Sequence, residues 1–163
     1  MKTCVFAGTF DPPTVGHREV VKTALKIFDS VTVALMLNPE KECLFSEEER
    51  LQLLRRLFGG ESGVKVRAFY GAAVDLLKEE NTPFYVRGVR DTIDFEYENR
   101  NRFASEKLMP EMVTIYLPAG RENLHVSSTL IRTSLKFGKD FERYIPEEIA
   151  ALVKNLLENK NVR

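Results

Sequence analysis

Short apolar runs alternate along the chain with longer segments in which apolar residues recur every three or four positions. A continuous apolar run predicts a buried β-strand, and the longer spacing predicts an amphipathic helix. We therefore expect five strands, at residues 3–7, 31–37, 64–69, 84–86 and 113–117. We also expect six helices, one beginning at Thr14, one at Ser46, and the others at 72–80, 91–108, 127–137 and 146–159.

The alternation of strands and helices predicts an α/β fold. Apolar strands separated by helices form a parallel sheet that is covered on both faces. With right-handed crossovers, this becomes a doubly wound, Rossmann-like sheet of five parallel strands. The sequence shows no repeat, low-complexity segment or linker, so we expect a single domain over residues 1–163. Ligands of such sheets bind at the carboxyl ends of the strands, which is where we expect the functional residues.

Composition and charge narrow the range of partners. The 163 residues include 24 Lys and Arg and 24 Asp and Glu, whereas a duplex-DNA binder would carry a basic excess. No apolar stretch approaches the roughly 18 residues of a membrane-spanning helix, and no secretory signal pattern is present. Two distant cysteines and two histidines form no metal-binding pattern. We therefore expect a cytoplasmic protein with no nucleic-acid partner, no membrane contact and no protein-built metal site.

The segment 8–17, which joins the first strand to the first helix, is the most informative part of the sequence. Gly8 allows a sharp turn off the strand, and Gly16 allows a phosphate to approach the backbone amides. The helix that begins here directs free N–H groups at the same point, within reach of the His17 imidazole. An ordinary turn with an incidental histidine is the alternative. The glycine patterns of P-loop enzymes and dinucleotide dehydrogenases are both missing.

Four further segments fall at the expected ligand edge. Arg87 and Arg90 follow the fourth strand and suit a polyphosphate, because guanidinium groups bind phosphate oxygens in pairs. Ser127, Ser128 and Thr129 open a helix and offer hydroxyls beside free amides, although simple capping is the alternative. A lysine in the loop 38–43 and acidic residues at 91–98 are placed similarly, but a lone loop lysine is usually solvated, and the residue pattern alone indicates a structural role for the acidic residues.

Taken together, six segments resemble the bacterial phosphopantetheine adenylyltransferase family: residues 8–12, 16–17, 45–50, 87–90, 94–98 and 127–128. The segment around Gly16 and His17 also resembles the Thr/His-x-Gly-His signature of the wider nucleotidyltransferase superfamily. The resemblance implies a Rossmann-like nucleotidyltransferase fold and transfer of AMP from ATP to 4'-phosphopantetheine. The products would be dephospho-coenzyme A and pyrophosphate, in coenzyme A biosynthesis. It further implies Mg²⁺ with ATP, and a homo-oligomer that is typically a hexamer.

The resemblance also implies roles for individual residues. It implies a catalytic role for His17, Lys41 and Arg90, and acceptor binding by Thr9, Lys41, Ala73 and Arg87. The implied ATP-binding residues are Thr9, Phe10, His17, Gly88, Val89, Arg90, Glu98, Asn123, Leu124, His125, Val126, Ser127, Ser128 and Thr129. A phosphate monoester is already mostly ionised near pH 7, so such a mechanism needs aligned cations rather than a general base.

The sequence departs from the family pattern at several positions. Phe6 and Ala7 stand where the family more often has Tyr-Pro, and Asn123 and His125 replace aromatic residues. The alanines at 72 and 73 are smaller than the usual apolar pair facing the pantetheine arm.

Two alternatives remain: another adenylyltransferase, such as one acting on nicotinate mononucleotide, and a non-catalytic nucleotide-binding module.

Overall fold

The structure of the chain, a computed structural model, describes residues 1–161, so the last two residues of the predicted domain lie outside the described residues. The strands are β1 Thr3–Gly8, β2 Ser30–Leu37, β3 Val64–Tyr70, β4 Phe84–Val89 and β5 Val113–Pro118. The helices are α1 Val15–Ala24, α2 Glu47–Phe58, α3 Ala73–Glu79, α4 Thr92–Glu106, α5 Ser128–Lys136 and α6 Glu147–Asn161. Two short 3₁₀ turns, Arg121–Asn123 and Glu142–Tyr144, were not predicted.

The five strands form one parallel sheet in the order β3-β2-β1-β4-β5. The chain runs outward from β1 to β3, returns to β4 beside β1, and then runs outward in the other direction. This order confirms the predicted doubly wound α/β fold. Its switch point lies between β1 and β4, whose pairing is limited to Val5 with Tyr85 and Phe6 with Val86. Beyond these pairs the two strands stay unpaired with each other, at the place where ligands of such sheets bind.

Both faces of the sheet carry a hydrophobic core, as the alternating pattern of β1 shows. Cys4 and Phe6 belong to the larger core cluster, which includes buried residues of α1, α2, α5 and α6. Val5 and Ala7 belong to a smaller cluster with buried residues of α3. Helix α4 buries none of its residues fully and leaves much of its surface to solvent. Helices therefore bury one face of the sheet more completely than the other, and the site lies between these two faces.

The predicted end of β4 was wrong. The strand continues past residue 86, and Arg87, Gly88 and Val89 pair with β5 rather than following the strand as a loop. A Cβ at Gly88 would lie 2.9 Å from Cγ2 of Val20. The glycine therefore allows α1 to pack closely over β4. The remaining strand and helix ends fall within about two residues of those predicted, which is the usual uncertainty of such boundaries.

Candidate active site

A cavity of about 360 Å³ opens at the switch point of the sheet. It is bounded by the end of β1, the start of α1, the end of β4, α4 and the start of α5. Its lining residues are Phe6, Ala7, Gly8, Thr9, Phe10, Asp11, Thr14, Gly16, His17, Val20, Lys41, Arg87, Gly88, Val89, Arg90, Asp94, Glu98, Ala119, Asn123, Val126, Ser127, Ser128, Thr129 and Arg132. The separate sequence segments singled out above therefore meet in one place.

The turn after β1 is held by buried polar contacts. The Asp11 carboxylate is buried and accepts hydrogen bonds from the backbone N–H groups of Leu44 (2.8 Å) and Phe45 (2.9 Å). Arg50, also buried, donates to the backbone oxygen of Thr9 at 3.0 Å. These contacts join the β1–α1 turn to the segment between β2 and α2. They fix the position of both ligand-facing loops and leave the Thr9 side chain free of this contact, because only its backbone oxygen takes part.

His17 takes part in an unusual capping arrangement at the start of α1. The Thr14 hydroxyl accepts a hydrogen bond from the His17 backbone N–H (3.3 Å), and the His17 Nδ1 accepts one from the Thr14 backbone N–H (3.0 Å). A capping box normally uses Glu or Gln for the second contact. Because Nδ1 accepts, the proton of a neutral imidazole must be on Nε2. The ring is thus fixed with Nε2 as its available donor.

The surroundings of His17 keep its imidazole neutral at pH 7. Burial lowers its pKa, and the charges of Arg90 and Arg87 lower it further, to about 4. The ring also packs against two aromatic side chains, with centroid distances of 4.9 Å to Phe10 and 6.1 Å to Phe6. Bound anions would offset the arginine charges and favour the protonated ring. In the ligand-free chain, His17 is a neutral hydrogen-bond donor.

Arg87 is closely paired with a carboxylate of α4. Its Nε donates to Glu98 Oε2 at 2.7 Å and its Nη2 donates to Glu98 Oε1, while Nη1 donates to the backbone oxygen of Ala7 at 2.7 Å and to the Tyr85 hydroxyl. Burial opposes the charge of Arg87, but Tyr85 and Glu98 outweigh it and raise its pKa above the ordinary value. Few donors of Arg87 remain free. A phosphate could bind it strongly only by displacing Glu98.

Arg90 is paired in the same way with Asp94, which lies one turn before Glu98 in α4. Its Nε and Nη2 donate to the two Asp94 oxygens at 2.7 and 3.0 Å. Within residues 1–161, Nη1 makes no protein hydrogen bond and remains available for a ligand. Asp94 was interpreted as a helix-start residue with a structural role, but it lines the cavity. The four-residue spacing of Arg90 and Asp94 in the sequence could suggest this pairing, but not its position in the site.

Lys41 reaches the cavity from the loop after β2. Its Nζ donates to the Thr9 hydroxyl at 3.0 Å, across 32 residues of sequence. The side chain is otherwise exposed, and the lysine has further N–H donors available. The structure thus brings Thr9 and Lys41, both predicted to bind the acceptor, into contact beside the first turn.

The start of α5 contributes hydroxyls that already have protein partners. Ser127 caps the helix by accepting from the Leu130 N–H (3.0 Å), and Ser128 donates to the backbone oxygen of Pro12 (2.7 Å). Arg132 donates to the backbone oxygen of Asp11 at 2.7 Å and also lines the cavity. Arg132 was missing from the predicted site residues. Its position one turn after Ser128, on the same helix face, is the signal that could have found it.

Three predicted residues lie outside the cavity lining. Ala73 begins α3 and does not line the cavity. Leu124 is 46% exposed, and the exposed His125 packs its ring against Tyr144, with the centroids 5.4 Å apart. The structure therefore does not bring these three side chains to the other site residues. The remaining predicted site residues all line the cavity.

Comparison with known proteins identifies the family of the chain. A family model described as cytidylyltransferase-like matches residues 5–134, from β1 into α5. Among curated proteins, the phosphopantetheine adenylyltransferase of Clostridium botulinum (strain 657 / Type Ba4) is 34% identical over 160 residues, which cover 98% of both chains. That of Clostridium beijerinckii is 36% identical over 149 residues, covering 91% of this chain and 94% of the relative. The chain belongs to the phosphopantetheine adenylyltransferase family, as its motifs indicated.

A solved structure shows the same fold. A protein from Vibrio parahaemolyticus described as a nicotinate-nucleotide adenylyltransferase superposes with a TM-score of 0.71, over 95% of this chain and 93% of the other. At 24% identity this similarity concerns the fold alone. Within the described part of the chain, no helix is long and apolar enough to cross a membrane.

Proposed function

We propose that the chain transfers AMP from ATP to 4'-phosphopantetheine and releases pyrophosphate, forming dephospho-coenzyme A. The names of its relatives support this activity. The observation that carries it in the structure is the meeting of His17, Lys41, Arg87 and Arg90 in one cavity at the switch point. Two phosphate-bearing substrates repel each other, and a cluster of donors of this kind holds them together in a reactive geometry.

The proposed reaction needs no general base. An oxygen of the acceptor phosphate attacks the α-phosphorus of ATP, and the bond from that phosphorus to the bridging oxygen breaks. The bridging oxygen leaves with pyrophosphate. Negative charge gathers on the oxygens around the α-phosphorus, and Nε2–H of His17 donates to them. A donor that is already in place costs no reorganisation at this step, which is why the fixed tautomer of His17 matters.

The ion pairs of α4 determine how the substrates would be received. Arg87 and Arg90 are held by Glu98 and Asp94 before any ligand binds. We infer that phosphate oxygens take over part of these contacts. The carboxylates keep the guanidinium groups in position and offset their charges in the empty cavity. The Arg87–Glu98 pair is the more shielded from solvent, so an unpaired charge would be more costly there than at Arg90, and its pairing stabilises the ligand-free site.

We propose that Mg²⁺ enters the cavity with ATP. Mg²⁺ usually keeps water and substrate phosphate oxygens among its ligands. The three cavity carboxylates, of Asp11, Asp94 and Glu98, all accept hydrogen bonds from protein N–H groups. Residues 1–161 contain no group of three or more His, Cys, Asp or Glu side chains that could hold a metal ion. These residues do not fit a protein-built magnesium site, and the ligands of the ion would be ATP oxygens and water.

Three further features belong to the proposal. We propose that the whole chain acts as one nucleotidyltransferase domain in the cytoplasm. We also propose a homo-oligomer, with the hexamer as the specific expectation. The exposed apolar side chains of α4, including Ile93 at 76% and Tyr97 at 60%, support an oligomer because contact between subunits would remove them from water.

A coupled assay of pyrophosphate release tests the function. The protein is incubated with ATP and Mg²⁺, and with 4'-phosphopantetheine, nicotinate mononucleotide or no acceptor. We expect pyrophosphate only with 4'-phosphopantetheine, in equal amount with dephospho-coenzyme A. Formation of a dinucleotide from the mononucleotide would favour the alternative adenylyltransferase. Tight ATP binding without pyrophosphate release under any condition would favour a non-catalytic module.

A further inference from the structure

The loop between β5 and α5, residues 119–127, contributes Ala119, Asn123, Val126 and Ser127 to the cavity. Its two ends are well held. The N–H of Ala119 donates to the backbone oxygen of Val89 at 2.8 Å, and Val126 is buried in the larger core. The residues between these ends are half-buried or exposed. Backbone hydrogen bonds link Asn123 to Gly120 and Val126 to Asn123 within the loop, so the placement of its middle against the cavity depends on contacts with other elements.

Glu19 of α1 makes that contact. Its Oε2 accepts hydrogen bonds from the Gly120 backbone N–H (3.1 Å) and from Nδ2 of Asn123 (3.1 Å). The two donors converge on one charged oxygen, which strengthens both hydrogen bonds relative to a neutral acceptor. Glu19 lies two residues after His17 on the same helix. Helix α1 thus fixes both the imidazole and the middle of the β5–α5 loop.

Gly120 gives a second, independent observation. Its backbone, at φ −60° and ψ 151°, is a conformation that alanine adopts without strain. A Cβ at this position would nevertheless lie 2.3 Å from Oε1 of Glu19. The absence of a side chain at residue 120 therefore allows the Glu19 carboxylate to approach the loop backbone. Asn123 stands where the family more often has an aromatic residue, and its carboxamide supplies the other donor.

We infer that Glu19 is a positioning residue for nucleotide binding, which sets the β5–α5 loop in the shape that receives ATP. The inference rests on the proposed function, because it assigns the nucleotide to this side of the cavity. It predicts a selective effect. Loss of the Glu19 carboxylate should weaken ATP binding and leave acceptor binding and kcat nearly unchanged, since the groups around the acceptor are held by other contacts.

The test measures ATP binding by isothermal titration calorimetry and steady-state kinetics for four variants. Glu19→Ala should raise the Kd and KM for ATP by about tenfold, the loss expected for a hydrogen-bonded pair with a charged partner. Gly120→Ala should have a similar effect, because its methyl group displaces the carboxylate. The double variant should be no worse than either single variant, since the three atoms nearest to the added methyl group all belong to Glu19. Glu19→Gln keeps an acceptor oxygen and should stay within about threefold of the natural chain.

The outcomes separate the inference from the proposed function. Additive losses in the double variant, or an unchanged ATP affinity in Glu19→Ala, would overturn the role of Glu19. A fall in kcat as large as the rise in KM would also overturn it, because loop positioning would then not be the cause. If the unaltered chain binds no ATP, the proposed function itself fails.

Discussion

The protonation of His17 offers a test of the site that does not require substrates. His17 can be replaced by glutamine, the residue that a capping box ordinarily carries at this position. The glutamine side-chain oxygen can accept the hydrogen bond of the Thr14 N–H in place of Nδ1. His17→Gln therefore removes the titrating group and preserves the local contact. Any difference between the two proteins that depends on pH then reports on the imidazole.

The size of the effect follows from the pKa. His17 has a pKa of about 4 in the folded chain against 6.5 ordinarily. Between these values the unfolded chain binds a proton that the folded chain does not, so folding stability is lost as the pH falls. The contribution is fully present above pH 6.5. The natural chain should lose about 2 kcal/mol more than His17→Gln by pH 5, and about 3 kcal/mol more by pH 4.

Urea denaturation of both proteins at several pH values between 7.5 and 4 measures this difference directly. All other titrating groups are shared and cancel in the comparison. We expect the free energies of unfolding to differ by a nearly constant amount above pH 7, and this difference to change against the natural chain as the pH falls. Parallel curves over the whole range would show that His17 titrates at its ordinary pKa. The buried, arginine-flanked environment described above would then be incorrect.

Three other predictions test separate parts of the site. His17→Ala should lower kcat by about 10²–10³, the usual cost of one preorganised donor, with an unchanged circular dichroism spectrum at pH 7.5; an activity loss fully explained by unfolding would contradict it. Gly88→Ala should lower the free energy of unfolding, measured by urea denaturation, by about 1–3 kcal/mol, because its Cβ would meet an α1 side chain. Gly60→Ala is the control: a Cβ there meets nothing within 4 Å, so the substitution should be neutral. Lys41→Ala should raise the KM for the acceptor by about tenfold or more. The control Lys78→Ala, at an exposed position of α3, should leave this KM unchanged, and equal effects of the two substitutions would contradict a role of Lys41 in acceptor binding.

The order of strands and helices could be predicted from the sequence because it follows from local pattern. Each apolar run was long enough to identify a strand, and Ser46 and Glu49 marked the start of α2 correctly. The end of β4 could not be predicted in this way. A glycine at residue 88 is locally a turn signal, and only the approach of Val20 from α1 explains its presence inside a strand.

The candidate site was predictable as a set of positions but not as a set of contacts. The carboxyl ends of parallel strands meet at one edge, so a shared cavity for residues 17, 41, 87 and 90 followed from the fold class. The pairing of Arg87 with Glu98 required the orientation of α4, which no periodicity specifies, and the four-residue spacing of Arg90 and Asp94 did not show that their pair lies in the cavity. The same holds for Glu19, whose partners lie about a hundred residues further along the chain.

Direct attack of one bound phosphate on the other is the central claim, and a single-turnover measurement tests it most directly. The protein, in excess over radiolabelled ATP, is mixed with Mg²⁺ with or without 4'-phosphopantetheine and quenched within milliseconds to seconds. We predict that pyrophosphate forms only when the acceptor is present, and in step with dephospho-coenzyme A. A burst of pyrophosphate without acceptor would show that AMP is first transferred to the protein, and would contradict the claim.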